Sequence, residues 1–215
     1  PTARLADNSS ARTDPFSSSR KSTFGDTIGM QAEERSSLVS FHVVTGGPGS
    51  GKTTLLEALA AAGYAHTIEA GRAIIQDQTS IGGPALPAHD PVLFAEMMLS
   101  WEFHSYRLAQ DRTGPVFFDR GVPDIAGYYR LIGRSVPDHV VRAADQFRYQ
   151  RKVFAAPPWP AIFGQDSERK QTFDEAVRTY DAVTEAYRTF GYELLLLPLA
   201  SVKDRVAFVL DNLRP

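Results

Sequence analysis

The sequence predicts an α/β fold in which helices cover both faces of a doubly wound, parallel sheet of five strands. Short apolar runs alternate along the chain with longer stretches whose apolar residues recur at helical spacing. A glycine-rich loop follows the first apolar run, and charged residues follow several of the later runs. Because the carboxyl ends of parallel strands meet at one edge of such a sheet, we expect a ligand site at that edge.

The glycine-rich loop is the most specific feature of the sequence. Residues 46–53 read GGPGSGKT and satisfy the phosphate-binding pattern G-x-x-x-x-G-K-[ST] at every required position. An apolar strand at 41–44 precedes the loop and a helical run follows it, so the free amides of the helix N-terminus would face a bound anion. We name residues 46–53 the phosphate loop and expect phosphate groups to bind at Gly47, Pro48, Gly49, Ser50, Gly51, Lys52, Thr53 and Thr54.

Two side chains of the phosphate loop predict cofactors. Lys52 would reach the β- and γ-phosphates of a nucleotide, and Thr53 would offer its hydroxyl to Mg²⁺. The sequence therefore predicts ATP and Mg²⁺ as cofactors.

The remaining elements follow from hydrophobic periodicity and from turn residues. Further strands are predicted at 64–68, 116–118, 152–155 and 192–197, with helices between them. Residues 82–91 contain two glycines and three prolines and cannot form regular structure. We expect this long connection to lie near the ligand and to help form a pocket.

Composition limits the classes of partner. The chain has 215 residues, a formal net charge of −2 and no cysteine. Without a basic field, binding to nucleic acid is not indicated, and small molecules are the expected partners. The absence of cysteine suits a cytoplasmic protein, no apolar run is long enough to span a membrane, and the five scattered histidines do not suggest a zinc site.

The chain divides into two unequal parts. Residues 1–36 are rich in Ser, Thr, Arg and Asp, show no sustained period, and are predicted to form a flexible tail without a function of its own. A transit peptide is conceivable there, although the segment lacks an amphipathic face. Residues 37–215 are predicted to form one nucleotide-binding domain.

Asp119 and Arg120 follow the third predicted strand and would face the phosphate loop. The carboxylate of Asp119 could hold Mg²⁺ opposite Thr53, or it could cap the following helix. Arg120 could contact phosphate, which is the alternative that we favour, or pair with a neighbouring carboxylate.

Glu69 and Arg169 complete the set of candidate catalytic residues. Glu69 ends the second predicted strand, where it could accept a proton from an acceptor hydroxyl or only cap the helix that starts at Ala70. Arg169 belongs to a charged segment at 166–170 after a proline block, and this segment could act as a hinged lid or as a solvated helix start.

Several strings taken together resemble a known family. The phosphate loop, FFDRGVPDIAGYYRLIG, IEAGRAIIQDQ, VFAAPPWP and DSERKQTFDEAVRTYDAV resemble the bacterial predicted-ATPase family of P-loop proteins with an AAA domain. That family is similar to nicotinamide-riboside kinases and, more distantly, to nucleoside and thymidylate kinases. The resemblance spans residues 38–213.

The resemblance implies a P-loop NTPase, kinase-like core with strand order 2-3-1-4-5. It implies a lid that carries Arg169 near the phosphates, an acceptor pocket after strands two and three, and an adenine-covering loop at 198–201. It also implies that Glu69 is the general base and that Asp119 and Arg120 form the acidic-arginine pair of nucleoside kinases. One departure from ATPase machines is that Arg120 stands where they have a water-polarising glutamate.

These observations together favour a Mg²⁺-dependent, ATP-binding phosphotransferase that acts on a small, hydroxylated, nucleoside-like acceptor. The alternative is a slow ATPase that serves as a nucleotide-dependent switch for a protein partner. The sequence predicts neither the identity of the acceptor nor the oligomeric state.

Overall fold

The computed structural model describes residues 38–164 and 171–213. The predicted tail at 1–36 and the charged segment with Arg169 lie outside the described residues. None of the helices in the described part of the chain is long and apolar enough to cross a membrane.

The described chain alternates strands with helices, as predicted. The strands are β1 Ser40–Gly46, β2 Ala65–His66, β3 Pro115–Asp119, β4 Lys152–Ala156 and β5 Glu193–Leu196. The helices are α1 Lys52–Ala61, α2 Ala70–Ile81, α3 Pro91–Gln110, α4 Val122–Leu131, α5 Asp138–Gln146, α6 Phe173–Thr189 and α7 Val202–Asp211, with a 3₁₀ turn at Pro160–Ile162.

The five strands form one parallel sheet in the order β2-β3-β1-β4-β5. Both the fold class and the strand order are thereby confirmed. In the central register Val44 of β1 lies opposite Asp119 of β3 on one side and Phe154 of β4 on the other. The phosphate loop after β1 and the charged residues after β3 therefore leave the sheet at the same edge.

Apolar side chains on both faces of the sheet explain why helices cover both faces. Successive residues of a strand point to opposite faces, and Val43 and Val44 accordingly belong to different core clusters. The cluster with Val44 contains leucines of α1 and Val209 of α7, and the cluster with Val43 contains Tyr187 of α6. A strand buried on both faces reads as a continuous apolar run, which is why β1, β3 and β4 were predictable.

The second strand is shorter than predicted. The sequence predicted residues 64–68, but only Ala65 and His66 form the strand, which lies at the edge of the sheet and pairs with β3 alone. The backbone N–H of Thr67 still donates to the carbonyl of Phe117 at 2.9 Å. Beyond it Ile68 is 67% exposed, so burial no longer holds the chain against the sheet.

Candidate functional site

The phosphate loop curls between β1 and α1 because of its glycines. Gly49 and Gly51 have φ angles of 70° and 76°, a region that side chains with a Cβ rarely adopt. A Cβ at Gly51 would also lie 2.7 Å from an Nη1 atom of Arg205. The loop therefore requires glycine at both positions, and it ends on the N-terminus of α1, whose free amides attract anions.

The side chain of Lys52 folds back over the phosphate loop. It is only 5% exposed, and its Nζ atom donates to the carbonyl of Gly47 at 2.8 Å and to that of Gly46 at 3.3 Å. The hydroxyl of Ser50 donates to the same Gly47 carbonyl at 2.8 Å. The loop thus concentrates positive charge where the phosphates of a nucleotide would lie.

A cavity of about 590 Å³ adjoins the phosphate loop. Its walls come from the loop and α1, from the segment after β4, and from the segment between β5 and α7. The lining residues are Gly49, Ser50, Gly51, Lys52, Thr53, Thr54, Arg72, Trp159, Ile162, Gly164, Ala200, Ser201, Val202 and Arg205. The cavity pairs an anion-binding end at the loop with a less polar end at Trp159 and Ala200, which is the arrangement that a nucleotide requires. Of the predicted phosphate-binding residues, Gly47 and Pro48 do not line it.

Arg205 is a buried cation in the wall of this larger cavity. It is 3% exposed, its Nη1 atom donates to the carbonyl of Gly51 at 3.4 Å, and its Nε atom has no hydrogen-bond partner among the described residues. Burial lowers the pKa of Arg205. Sequence analysis assigned position 205 no function, because it lies on a helix whose other inward positions are apolar.

A second, smaller cavity of about 180 Å³ lies on the other side of Thr53. Glu69, the residue before α2, and Asp119, at the end of β3, both line it, together with residues of α1 and α2. The lining residues are Thr53, Leu56, Glu57, His66, Thr67, Ile68, Glu69, Arg72, Ala73, Gln76 and Asp119. The structure therefore brings two predicted carboxylates and a phosphate-loop hydroxyl to one cavity.

The carboxylate of Asp119 is buried and incompletely bonded. It is 4% exposed, and its Oδ1 atom has no hydrogen-bond partner within the described residues. Burial and the nearby Glu69 raise the pKa of Asp119 to about 6, against the opposing effects of Lys52 and Arg120. The alternative that Asp119 caps the next helix is wrong, because the residue before α4 is Gly121. An anionic oxygen without a donor is a suitable ligand for a cation.

Arg120 pairs with carboxylates, contrary to the favoured phosphate contact. Its Nε atom donates to Oε1 of Glu69 at 3.1 Å, and its Nη1 atom donates to Oδ1 of Asp124 at 3.2 Å and to the carbonyl of Gly46 at 3.0 Å. Burial lowers the pKa of Arg120, but Glu69 and Asp124 outweigh burial and raise it. Two carboxylates therefore lie within reach of the guanidinium, and the phosphate contact of Arg120 stays a prediction.

The backbone at Arg120 is strained. Its φ of 75° makes Arg120 the one residue other than glycine with positive φ in the part of the chain that the structure describes. Its N–H donates to the carbonyl of Val44 at 3.0 Å, which fixes the turn against β1. Such strain persists where surrounding contacts hold it, and here it aims the guanidinium at Glu69.

Glu69 precedes α2, which begins at Ala70 as predicted, but its side chain makes no capping hydrogen bond. Instead its Oε1 atom accepts from Arg120, and the carboxylate lies in the wall of the smaller cavity. The contacts therefore favour the alternative in which Glu69 faces a ligand.

Asp124 is a residue that sequence analysis missed. It is 4% exposed and accepts hydrogen bonds from the hydroxyls of Thr45 and Tyr187, both at 2.7 Å. It also accepts from the backbone N–H of Gly121 at 3.0 Å and from Arg120. We name Glu69, Asp119, Arg120 and Asp124 the carboxylate cluster. The sequence does carry a signal for Asp124, because it is the single acidic residue within the apolar run 121–129.

Glu102 on α3 is a second buried acid without a sequence prediction. It is 2% exposed, and its Oε2 atom has no hydrogen-bond partner among the described residues. Burial, with the nearby charges of Asp124 and Asp119, raises the pKa of Glu102 well above its usual range.

The long connection at 82–91 lies elsewhere than predicted. None of its residues lines either cavity. Gln78 of α2 accepts a hydrogen bond from the N–H of Ala85 at 3.1 Å, and Ala85 is fully buried. The connection is therefore packed against the end of α2, and it forms no part of these two cavities, contrary to the expectation that it would lie near the ligand.

Metal binding would depend on few protein ligands. Over residues 38–164 and 171–213, no group of three or more His, Cys, Asp or Glu side chains could hold a metal ion. Mg²⁺ in phosphate-binding sites commonly uses one or two protein ligands and the substrate phosphates. Thr53 and Asp119 are the protein groups at the smaller cavity that fit this pattern.

The parallel sheet, the phosphate loop and the charged residues at the neighbouring strand end define a P-loop nucleotide-binding protein with a kinase-like fold. A protein-family model described as an AAA domain matches residues 41–205. The chain belongs to this AAA domain family, and the predicted resemblance is confirmed. No curated protein matches the chain by sequence.

Solved structures share the fold at low sequence identity. Deoxyadenosine kinase from M. mycoides matches 80% of this chain and 98% of its own at 11% identity, with a TM-score of 0.57. Thymidylate kinase from Ehrlichia chaffeensis matches 82% and 99% at 14% identity, with a TM-score of 0.55. NadR protein in complex with NR matches 86% of this chain and 57% of its own at 15% identity, with a TM-score of 0.62.

Proposed function

We propose that this protein is an ATP-dependent, Mg²⁺-dependent phosphotransferase that acts on a hydroxyl group of a small, nucleoside-like acceptor. The observation that carries the proposal is the position of Glu69. Its carboxylate is held by Arg120 at 3.1 Å in the wall of a cavity that adjoins the phosphate loop. A carboxylate held beside the γ-phosphate position could accept the proton of an acceptor hydroxyl as that hydroxyl attacks.

The donor side of the reaction uses the larger cavity. The amides of the phosphate loop and Lys52 would bind the β- and γ-phosphates, and the segment at 200–202 would lie against the base. The orphaned Oδ1 atom of Asp119 and the hydroxyl of Thr53 fit a Mg²⁺ site between the two cavities. Mg²⁺ bound there would neutralise charge on the phosphates.

The acceptor side uses Glu69 and its supports. Glu69 would accept the proton of the attacking hydroxyl, and Arg120 would keep the carboxylate in place. Arg120 is itself held by Asp124 and by the carbonyl of Gly46, so the orientation of Glu69 is linked to the start of the phosphate loop. This linkage would hold the donor and the acceptor in a fixed relative orientation, which favours transfer over loss of the phosphoryl group to water.

Two features favour a nucleoside-like acceptor over water. Arg120 occupies the position after Asp119 where a water-polarising glutamate would be expected in an ATPase. The solved structures that share the fold include a deoxyadenosine kinase and a thymidylate kinase. Small hydroxylated metabolites are therefore the first acceptors to test.

The test is an assay of ADP release and of phosphorylated product across a panel of nucleosides, amino sugars and other hydroxylated metabolites. We expect at least one acceptor to stimulate ADP release by wild-type protein and to appear as its phosphate ester. Stimulation by a protein partner alone, with no acceptor active, would replace this proposal with a nucleotide-dependent switch.

A further inference from the structure

Arg205 on α7 is a buried cation without a counter-ion in the described part of the chain. It is 3% exposed and lines the larger cavity. No ion pair among the described residues includes Arg205, and its only hydrogen bond with those residues runs from Nη1 to the carbonyl of Gly51. Burying a charged group without a partner of opposite charge costs free energy. The arginine at this position therefore needs an explanation.

The packing of α7 calls for an apolar residue at position 205. Val202 and Val209 lie three residues before and four residues after Arg205, which places the three side chains on one face of the helix. Val209 is fully buried with leucines of α1, so this face is directed at the interior. Packing against α1 also brings Arg205 to the N-terminus of α1, where the phosphate loop ends. An apolar side chain would fill the position without burying a charge.

The contact with Gly51 does not explain the charge either. The carbonyl of Gly51 already accepts a hydrogen bond from the backbone N–H of Leu55 at 3.2 Å, in the first turn of α1. The hydrogen bond from Nη1 of Arg205 is long, at 3.4 Å, against the usual range of about 2.7–3.2 Å for N–H···O bonds. The stability of the helix start therefore does not depend on a guanidinium at this position.

Lys52 and Arg205 contact opposite ends of the phosphate loop. The Nζ atom of Lys52 donates to carbonyls at the start of the loop, whereas Nη1 of Arg205 lies at Gly51, near its end. The segment at 200–202, which would lie against the base, is close to Arg205 in the chain and lines the same cavity. The α-phosphate of a nucleotide lies between the β-phosphate and the nucleoside. Arg205 is therefore on the side of the loop where an α-phosphate is expected.

We propose that Arg205 binds the α-phosphate of the donor nucleotide. This inference rests on the proposed function, in which the larger cavity holds the donor. During transfer the bond between the γ-phosphorus and the bridging oxygen breaks, so the charge changes on the γ- and β-phosphates. The charge of the α-phosphate stays the same, and Arg205 would stabilise the ground state and the transition state equally. It should therefore determine the affinity for the nucleotide and not the rate of the chemical step.

A guanidinium group suits this contact for two physical reasons. Its planar fork can donate to two oxygens of one phosphate at once. The group is also shielded from water, where hydrogen bonds between charged groups are stronger than they are in solvent. Burial lowers the pKa of Arg205, and a bound phosphate would oppose this effect because it favours the charged form.

The experiment compares wild type with Arg205→Met, Arg205→Lys and the control Lys203→Met. Methionine keeps much of the apolar stem of arginine and removes the charge. Lys203 is an exposed cation on the same helix that lines neither cavity, so its replacement removes the same charge from the protein. Titrations of the full chain measure the Kd for ADP and for a non-hydrolysable ATP analogue, both with Mg²⁺. Melting curves are recorded with and without nucleotide.

We expect Arg205→Met to raise the Kd for both nucleotides by the same factor, about 10-fold to 100-fold, because both contain the α-phosphate. With an active acceptor, the KM for ATP should rise by a similar factor while kcat changes little. Arg205→Lys should recover part of the affinity, because an ammonium keeps the charge without the planar fork. Without nucleotide, Arg205→Met should melt at or above the wild-type temperature, since a buried charge is removed. Lys203→Met should bind both nucleotides as wild type does.

Three results would overturn the inference and leave the phosphotransferase function in place. An unchanged Kd in Arg205→Met would show that Arg205 does not contact the nucleotide. A higher Kd together with a lower melting temperature without nucleotide would show that Arg205 only holds the phosphate loop in shape. A lower kcat, or a larger loss of affinity for the ATP analogue than for ADP, would place the contact at the β- or γ-phosphate.

A fourth result would have a different meaning. If wild type binds neither ADP nor the ATP analogue, the inference fails together with the proposed function.

Discussion

The phosphate loop and the carboxylate cluster lie next to each other at one edge of the sheet, but they are built in opposite ways. The loop consists of eight consecutive residues, and Lys52 and Ser50 satisfy its carbonyl at Gly47. The cluster joins residues from position 69 to position 124, and one oxygen of Asp119 has no partner within the described residues. The hydrogen bonds of the loop are thus local, whereas those of the cluster join distant chain segments and leave one carboxylate oxygen of Asp119 without a donor in that part of the chain.

Removing the ammonium group of Lys52 should have the largest effect. Lys52→Ala is expected to lower turnover by about 10²-fold to 10³-fold, because the charge that develops on the phosphates loses a preorganised donor. Circular dichroism should show an intact fold, since the loop carbonyls can accept hydrogen bonds from water. A folded variant with unchanged turnover would contradict a catalytic role for Lys52.

Removing the charge of Asp119 should weaken the Mg²⁺ binding on which activity depends while it stabilises the folded protein at neutral pH. Asp119→Asn is expected to raise the Mg²⁺ concentration needed for activity by about 10-fold to 100-fold, because a charged ligand is lost. The pKa of Asp119 is about 6 in the folded protein, above the ordinary value of 3.8. Between pH 3.8 and pH 6 the folded protein keeps a proton on Asp119 that the unfolded chain has released. The free energy of unfolding of the ligand-free protein therefore falls as the pH rises through this range, and the fall is complete above pH 6.

Without nucleotide, Asp119→Asn should consequently be more stable than wild type at pH 8 by about 3 kcal/mol, with no difference below about pH 4. Melting curves at both pH values, without nucleotide, measure this difference. An unchanged Mg²⁺ requirement in Asp119→Asn would remove Asp119 from the metal site.

The contrast between loop and cluster also explains how much the sequence could predict. Phosphate-loop residues 46–53 were predictable because the motif is local, and β1, β3 and β4 because a strand buried on both faces reads as an apolar run. The pairing of Arg120 with Glu69 and Asp124 depends on the positions of three different chain segments. No local pattern encodes it, and the strained backbone of Arg120, with a φ of 75°, gives no signal in the sequence.

The path of the chain at 82–91 was mispredicted for a related reason. Glycines and prolines correctly indicated irregular structure, but where such a segment packs depends on tertiary contacts. The hydrogen bond from the N–H of Ala85 to Gln78 is one such contact.

The hydrogen bonds to the carboxylate of Asp124 should contribute more to the free energy of unfolding than hydrogen bonds to neutral carbonyls do. Tyr187→Phe removes a donor to a buried carboxylate, and the expected loss of unfolding free energy is about 1.5–3 kcal/mol. Tyr106→Phe is the matched control, because the Tyr106 hydroxyl donates to a neutral carbonyl, that of Arg148, at 2.7 Å. Tyr106→Phe should lower the free energy of unfolding by only about 0.5–1.5 kcal/mol. Equal losses in chemical denaturation would mean that the hydrogen bond to Asp124 is no stronger than one to a neutral carbonyl.

The smallest effect should appear only at acidic pH, away from the site. Burial lowers the pKa of His42 to about 4, below its ordinary value of 6.5. The unfolded chain therefore binds a proton that the folded protein excludes, and stability falls as the pH drops from 6.5 towards 4. His42→Gln should match wild type at pH 8 and lose about 2 kcal/mol less at pH 5.

The control for His42→Gln is the same change at the exposed His89. Urea denaturation at the two pH values provides the measurement. Parallel losses of stability in wild type and His42→Gln between pH 8 and pH 5 would show that His42 does not account for the acid sensitivity.

The most direct test of the proposed function is acceptor-stimulated ADP release by Glu69→Gln, with the exposed Glu193→Gln as control. If Glu69 accepts the hydroxyl proton, Glu69→Gln should keep nucleotide binding and background hydrolysis. It should lose acceptor-stimulated ADP release by about 10²-fold to 10⁴-fold, while Glu193→Gln behaves as wild type. Stimulation that persists at the wild-type level in a folded Glu69→Gln protein would contradict the account.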